Sequence, residues 1–216
     1  MKVSEIFYSI QGEGAELGMP AVFIRLSGCN LDCTWCDSKY AQHGKQMSIP
    51  EIIDGVCTST QMCKCNNVII TGGEPLLHDI LPLIKELNAH GKKVYVETNG
   101  TIFDSGLIGH ATFTVSPKLK YSKKLLNNEY MQSLYKWSQL ATFKFVIDNY
   151  QDFSEAINLV EKLTPRYPVY FMPQTIDADE MKEKLLWLTD QVKNTYPKVR
   201  VSQRLHIYLY GSKRGT

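Results

Sequence analysis

Ala21-Val22-Phe23-Ile24-Arg25-Leu26-Ser27-Gly28-Cys29-Asn30-Leu31-Asp32-Cys33-Thr34-Trp35-Cys36 carries an apolar run into three cysteines spaced C-x3-C-x2-C. Its first six residues, rich in β-branched and aromatic side chains, predict a strand. The cysteines then fall in the loop at that strand's C-terminal end. Similar short runs at 67–71, 93–97, 112–115, 143–147 and 169–172 predict five more strands, and 205–210 predicts a last one. Residues 3–10 alternate weakly and suit an accessory strand or hairpin. Helical patterns fill the gaps. Ser48 and Glu51 have capping-box spacing, 77–89 keeps a helical period up to Gly91, 152–163 stops before Pro165, and 177–196 opens on an Asp177/Glu180 pair. Strand–helix alternation implies parallel strands. About six units fall short of the full eight-unit barrel, which takes about 250 residues. The expected fold is therefore α/β, an open, partial TIM-like β/α barrel of about six parallel strands. One domain should span 1–216.

Composition narrows the function. The 24 Lys+Arg and 22 Asp+Glu leave a net charge of +2, with no general pull toward nucleic acid or an anionic membrane. No apolar run approaches the roughly 18 residues of a membrane span, and Met1-Lys2-Val3-Ser4-Glu5-Ile6 lacks the apolar stretch of a signal peptide. A cytoplasmic location is expected. All six cysteines lie within the first 65 residues, as Cys29, Cys33, Cys36 and then Cys57, Cys63, Cys65. In a reducing compartment such clusters point to metal or redox chemistry rather than disulfides.

Three close thiolates can hold three irons of a cubane cluster and leave the fourth iron open for a ligand. Two other readings stand beside it: a zinc site completed by His43, or three unrelated buried thiols. The next predicted strand runs into Thr71-Gly72-Gly73-Glu74-Pro75, whose paired glycines let backbone approach a ligand closely. The two motifs, in this order and each after a strand, resemble the radical S-adenosylmethionine (SAM) superfamily. Phe7-Tyr8-Ser9-Ile10-Gln11-Gly12-Glu13-Gly14, Phe23 to Asn30, Cys36-Asp37-Ser38, Glu97-Thr98-Asn99-Gly100-Thr101, Val115-Ser116-Pro117-Lys118 and the tail 205–215 are similar to the 7-carboxy-7-deazaguanine synthase family within it.

That resemblance implies ring contraction of 6-carboxy-5,6,7,8-tetrahydropterin to 7-carboxy-7-deazaguanine with loss of ammonia, in queuosine and other deazapurine biosynthesis. It implies a 4Fe-4S cluster on Cys29, Cys33 and Cys36, with SAM on the open iron and Mg²⁺ as a further cofactor. Trp35, Gly73, Ser116, Lys118 and Gln174 match positions near SAM. Ile10, Gln11, Gly12, Arg25 and Thr71 match the pterin site, with Glu13, Glu97 and His206 as weaker candidates. Ser38, where the family usually carries Thr, corresponds to the Mg²⁺ ligand. Residues 1–20 would form a substrate-site segment and 200–216 a capping tail. A flavodoxin or ferredoxin would supply electrons, and the protein would be a homodimer. From the residues alone, Arg25 on an apolar strand needs a partner, such as the internal glutamate Glu97; the resemblance implies that the substrate carboxylate is that partner instead. The competing functions are a glycyl-radical activase and a non-enzymatic metal-binding module. Cys57, Cys63 and Cys65 match nothing in the family; free thiols are expected, with an auxiliary metal site as the alternative.

Overall fold

The computed structural model describes the chain except for residues 64, 120–127, 212 and 216 and the side chains of 60–63. Among the described residues nine strands form one sheet: β1 (Lys2–Ile10), β2 (Pro20–Leu26), β3 (Lys45–Gln46), β4 (Asn67–Gly72), β5 (Lys93–Thr98), β6 (Thr112–Val115), β7 (Thr142–Ile147), β8 (Val169–Pro173) and β9 (Arg200–Val201). The helices are α1 (Ile49–Cys63), α2 (Leu81–Ala89), α3 (Asn128–Ser138), α4 (Tyr150–Leu163), α5 (Ala178–Thr195) and α6 (Leu205–Tyr210). The order across the sheet is β3-β1-β2-β4-β5-β6-β7-β8-β9. From β2 to β9 every pair is parallel, and β1 adds an antiparallel edge that carries β3. The six expected parallel strands are all present, and the two-residue β9 extends them.

Period-two geometry sorts each strand's side chains onto two faces. Val22, Ile24, Leu26, Val68, Ile70, Val94, Val96, Phe143, Phe145 and Phe171 join the large core cluster beneath the helices. The alternate residues face the other way. There Phe7, Phe23, Ile69 and Tyr95 make a small apolar patch, with Phe7 stacked on Phe23 at 5.0 Å between centroids. Arg25, Thr71, Glu97 and Lys144 share this face by the same parity. A register shift between Val3 and Glu5 sets Glu5 opposite Arg25.

Two elements differ from expectation. Residues 205–210 are helical, not a strand; an aromatic–aliphatic run this short fits either period. Gly211, at φ 63°, ends the helix. Residues 77–89 divide, with a 3-10 turn at Pro75–Leu77 and α2 starting at Leu81, because Pro82 suits a first turn and not an interior. The Ser48/Glu51 capping box forms: Ser48 N–H donates to the Glu51 carboxylate at 2.7 Å and Glu51 N–H to Ser48 Oγ at 3.4 Å. At α5 only half of it forms. Asp177 accepts from the N–H groups of Asp179 and Glu180, while the Glu180 carboxylate turns to Thr175 and Lys184.

Candidate active site

The cysteine loop leaves β2 and docks on the Gly-Gly turn that leaves β4. Glu74 N–H donates to Gly28 O at 2.8 Å, and Gly73 N–H to Leu26 O at 3.1 Å. A Cβ at Gly73 would lie 2.0 Å from Gly28 O and 3.0 Å from Cys29 Cβ. Any side chain there would push the two loops apart. Glu74 has no exposed surface; its carboxylate accepts from Thr98 Oγ1, Asn99 N–H and Leu76 N–H. Burial pushes its carboxyl up even against these donors. Its place is to pin the turn, not to meet a ligand.

Cys29, Cys33 and Cys36 line one cavity of about 270 Å³ over the open face of the sheet. Burial pushes the Cys29 and Cys33 thiols up; the Lys118 ammonium draws Cys33 part of the way back. Such thiols give up their protons when a metal arrives. His43 is exposed and outside the cavity lining, so the zinc reading loses its fourth donor. A single tetrahedral zinc would also hold its thiolates about 3.8 Å apart. Among the described residues the one His/Cys/Asp/Glu trio with ligand atoms all within 4.8 Å is Glu13, Asp37 and His206. The cysteines are spread wider than one zinc would hold them, and three thiols with no fourth partner suit a cluster with an open iron. Beside them Lys118 Nζ donates to Ser116 Oγ at 2.8 Å and sits 5.6 Å from the Trp35 ring centre. Burial holds the Lys118 ammonium below its usual range.

The other half of the cavity is polar. Glu97 accepts from Gln11 Nε2 at 3.2 Å, Thr71 Oγ1 at 3.1 Å and Lys144 Nζ at 3.0 Å. Lys144 also reaches Glu13 at 2.5 Å. Glu13 takes the Arg204 Nε at 2.9 Å, and the same guanidinium pairs with Asp37. Two members of that trio, Glu13 and Asp37, thus already pair with a cation, Arg204. Gly12 makes room for the tail: a Cβ there would lie 2.0 Å from His206 Nδ1, and Gly12 O accepts Leu205 N–H at 2.8 Å. Ser38 lies at the rim, donating to Asp37 at 2.7 Å.

The cavity lining gathers Ile10, Gln11, Gly12, Arg25, Cys29, Cys33, Trp35, Cys36, Ser38, Thr71, Gly73, Ser116 and Lys118, together with Glu13, Glu97 and His206. Gln174 is outside it; its backbone N–H bonds Ile147 O and its carbonyl takes Lys184. Arg25 does not pair with Glu97. Its Nε donates to Glu5 at 2.8 Å, and its guanidinium lies over Phe7 and Tyr40. Cys65 is buried with its thiol toward Pro20 O, Cys57 packs at the core's edge, and neither lines the cavity; the Cys63 side chain is outside the described residues. Sequence reasoning missed Lys144, although it interrupts an apolar strand just as Arg25 does. It also missed Glu5 and Arg204, which carry no local signal.

A strand-end loop bearing three cysteines, beside a glycine turn on a parallel sheet, suits a protein that holds an iron–sulfur cluster with one open iron. The Radical SAM superfamily model matches residues 23–173. The 7-carboxy-7-deazaguanine synthase of Pyrobaculum aerophilum is 36% identical, covering 100% of this chain and 97% of its own; that of Synechocystis sp. is 32% identical over 96% and 91%. The crystal structure of QueE from Escherichia coli superposes with a TM-score of 0.69 at 25% identity, over 95% of this chain and 94% of that one. SuiB of Streptococcus suis, at 12% identity and a TM-score of 0.61, shares the fold alone. This chain belongs to the 7-carboxy-7-deazaguanine synthase family of the radical SAM superfamily. Its cofactors are accordingly a 4Fe-4S cluster and SAM. No helix among the described residues is long and apolar enough to cross a membrane.

Proposed function

We propose that the cavity divides between cofactor and substrate, with the cysteine half holding cluster and SAM and the polar half holding 6-carboxy-5,6,7,8-tetrahydropterin. The reaction is the family's radical SAM ring contraction to 7-carboxy-7-deazaguanine, in queuosine biosynthesis. The observation that carries this division is the parity of four strands, which turns Arg25, Thr71, Glu97 and Lys144 onto one face beside the three cysteines.

Cys29, Cys33 and Cys36 would hold the cluster. Gly73 would meet SAM through its backbone, Ser116 and Trp35 would face its nucleoside, and Lys118 would support Ser116. When bound, cluster and SAM together supply the radical that starts the rearrangement. The chain's own residues bind, orient and exclude water. Glu5 engages Arg25 through Nε, and the terminal nitrogens of that planar fork suit the substrate carboxylate. Gln11, Thr71, Glu13 and Glu97 suit the N–H and amino groups of the pterin ring, with Ile10 and Gly12 as a wall and His206 closing over it. Ser38 would give Mg²⁺ one protein oxygen, since Mg²⁺ keeps most of its waters. An electron donor of the flavodoxin or ferredoxin kind and a homodimeric assembly complete the proposal. A glycyl-radical activase would have no use for this ring of small-molecule acceptors.

The test is anaerobic turnover with SAM and the carboxypterin, with and without Mg²⁺, in wild type, Ser38→Ala and Ser38→Thr. Formation of the deazaguanine is expected, with the Mg²⁺ response weakened in Ser38→Ala and kept in Ser38→Thr. No product in iron-loaded wild type that still cleaves SAM would reject the substrate. An unchanged Mg²⁺ response in Ser38→Ala would remove that residue from the metal site.

A further inference from the structure

Lys144 interrupts an otherwise apolar strand, Thr142-Phe143-Lys144-Phe145-Val146-Ile147. Phe143 and Phe145 enter the core under the helices, so the intervening side chain must point to the cavity. It is 5% exposed. A buried ammonium is strongly unfavourable without partners, and this one has two: Glu13 at 2.5 Å and Glu97 at 3.0 Å. Those carboxylates arrive from distant parts of the chain, the loop after β1 and the body of β5. Glu97 in turn gathers Gln11 and Thr71, and Glu13 gathers Arg204. Every polar group assigned above to the pterin ring is thus tied to Lys144 directly or through one neighbour.

We propose that Lys144 is a positioning residue for substrate recognition. It screens the two carboxylates from one another and fixes their orientation, so that their remaining lone pairs face the cavity as acceptors for substrate N–H groups. Lys144 acts through Glu13 and Glu97; its ammonium is occupied by them. The role rests on the carboxypterin reading.

The experiment is a double-mutant cycle on substrate affinity in iron-loaded protein: wild type, Lys144→Met, Glu97→Gln and the pair, each titrated anaerobically with 6-carboxy-5,6,7,8-tetrahydropterin. Iron content and SAM affinity report whether the other half of the site is intact. Lys144→Met is expected to weaken pterin binding roughly ten- to a hundredfold. Because part of its effect runs through Glu97 and the rest through Glu13, the pair should lose clearly less affinity than the product of the two single losses. Lys144→Arg, which keeps the charge, should recover part of the loss. Lys144→Gln keeps two N–H donors without the charge; should Lys144→Met not fold, it enters the same cycle with the same expectation. Unchanged affinity in a folded variant, or losses that multiply in the pair, would overturn the role. Wild type that fails to bind the carboxypterin would overturn the substrate reading itself, and this role with it.

Discussion

Arg25 shows how one side chain can serve a fold and a site together. Its Nε is held by Glu5, which Tyr40 and Arg214 also contact. Arg25→Ala therefore leaves Glu5 with other partners, and the fold should survive. If the guanidinium grips the substrate carboxylate, the variant loses a hydrogen bond to a charged group. That costs about 1.5–3 kcal/mol, or roughly ten- to a hundredfold in pterin affinity by direct titration. Arg25→Lys should recover only part, since an ammonium cannot make a planar two-point contact. Equal affinity in wild type and Arg25→Ala would end the assignment. The cysteines allow an equally sharp comparison. Cys29→Ala, Cys33→Ala and Cys36→Ala should each abolish SAM cleavage and lower iron content after anaerobic reconstitution. Cys57→Ala, Cys63→Ala and Cys65→Ala should keep both, and loss of SAM cleavage in any of these three would place the second group in the chemistry.

Regular elements were legible in the sequence where one period dominated. All six expected parallel strands formed, because short β-branched and aromatic runs between helical patterns leave a sheet buried by crossovers as the simplest solution. Arg25 and Thr71 came from the family resemblance, and in the structure strand parity puts both on the cavity face. What was not legible depended on partners far along the chain. Lys144 gave the same local sign as Arg25, yet its meaning lies in Glu13, 131 residues away. Gln174 follows a strand as a ligand-facing residue would; its backbone bonds Ile147 and Lys184, and the residue is outside the cavity lining, so its place near SAM stays an expectation from the family resemblance. The run at 205–210 turned helical because nothing local separates the two periods over six residues. Capping was legible in part, and Asp177 offers a test at this scale. Its carboxylate holds two N–H groups of α5, so Asp177→Ala should cost about 1 kcal/mol, read from urea denaturation midpoints. A midpoint equal to wild type would mean that solvent caps α5 as well.

Across the whole molecule, the charged network joins the first strand's exit to the last helix. Burial pushes the Glu13 carboxyl up, but Lys144, Arg204 and His206 more than reverse it and hold it well below the usual range. Asp37 is likewise lowered, where Arg204 outweighs burial. A carboxylate depressed in the folded state contributes stability above its unfolded pKa, about 4.3 for Glu, and loses it as pH falls toward the folded value. Stability should therefore fall on the acid side below about pH 4.3. Glu13→Gln should be less stable at neutral pH, with a shallower acid limb in denaturation midpoints measured across pH; an unchanged acid slope would count against this account. The same network has a consequence for biosynthesis. Glu13 and Arg204 are 191 residues apart, and a chain is synthesised from its amino-terminal side. The cysteine loop and the Gly-Gly turn are made well before Arg204 and His206. Until Arg204 and His206 are made, the cavity over the cysteines lacks the side chains that wall it there. The guanidinium can reach Glu13 and Asp37 only after both cavity loops have been made, so closing the pocket comes after building its floor.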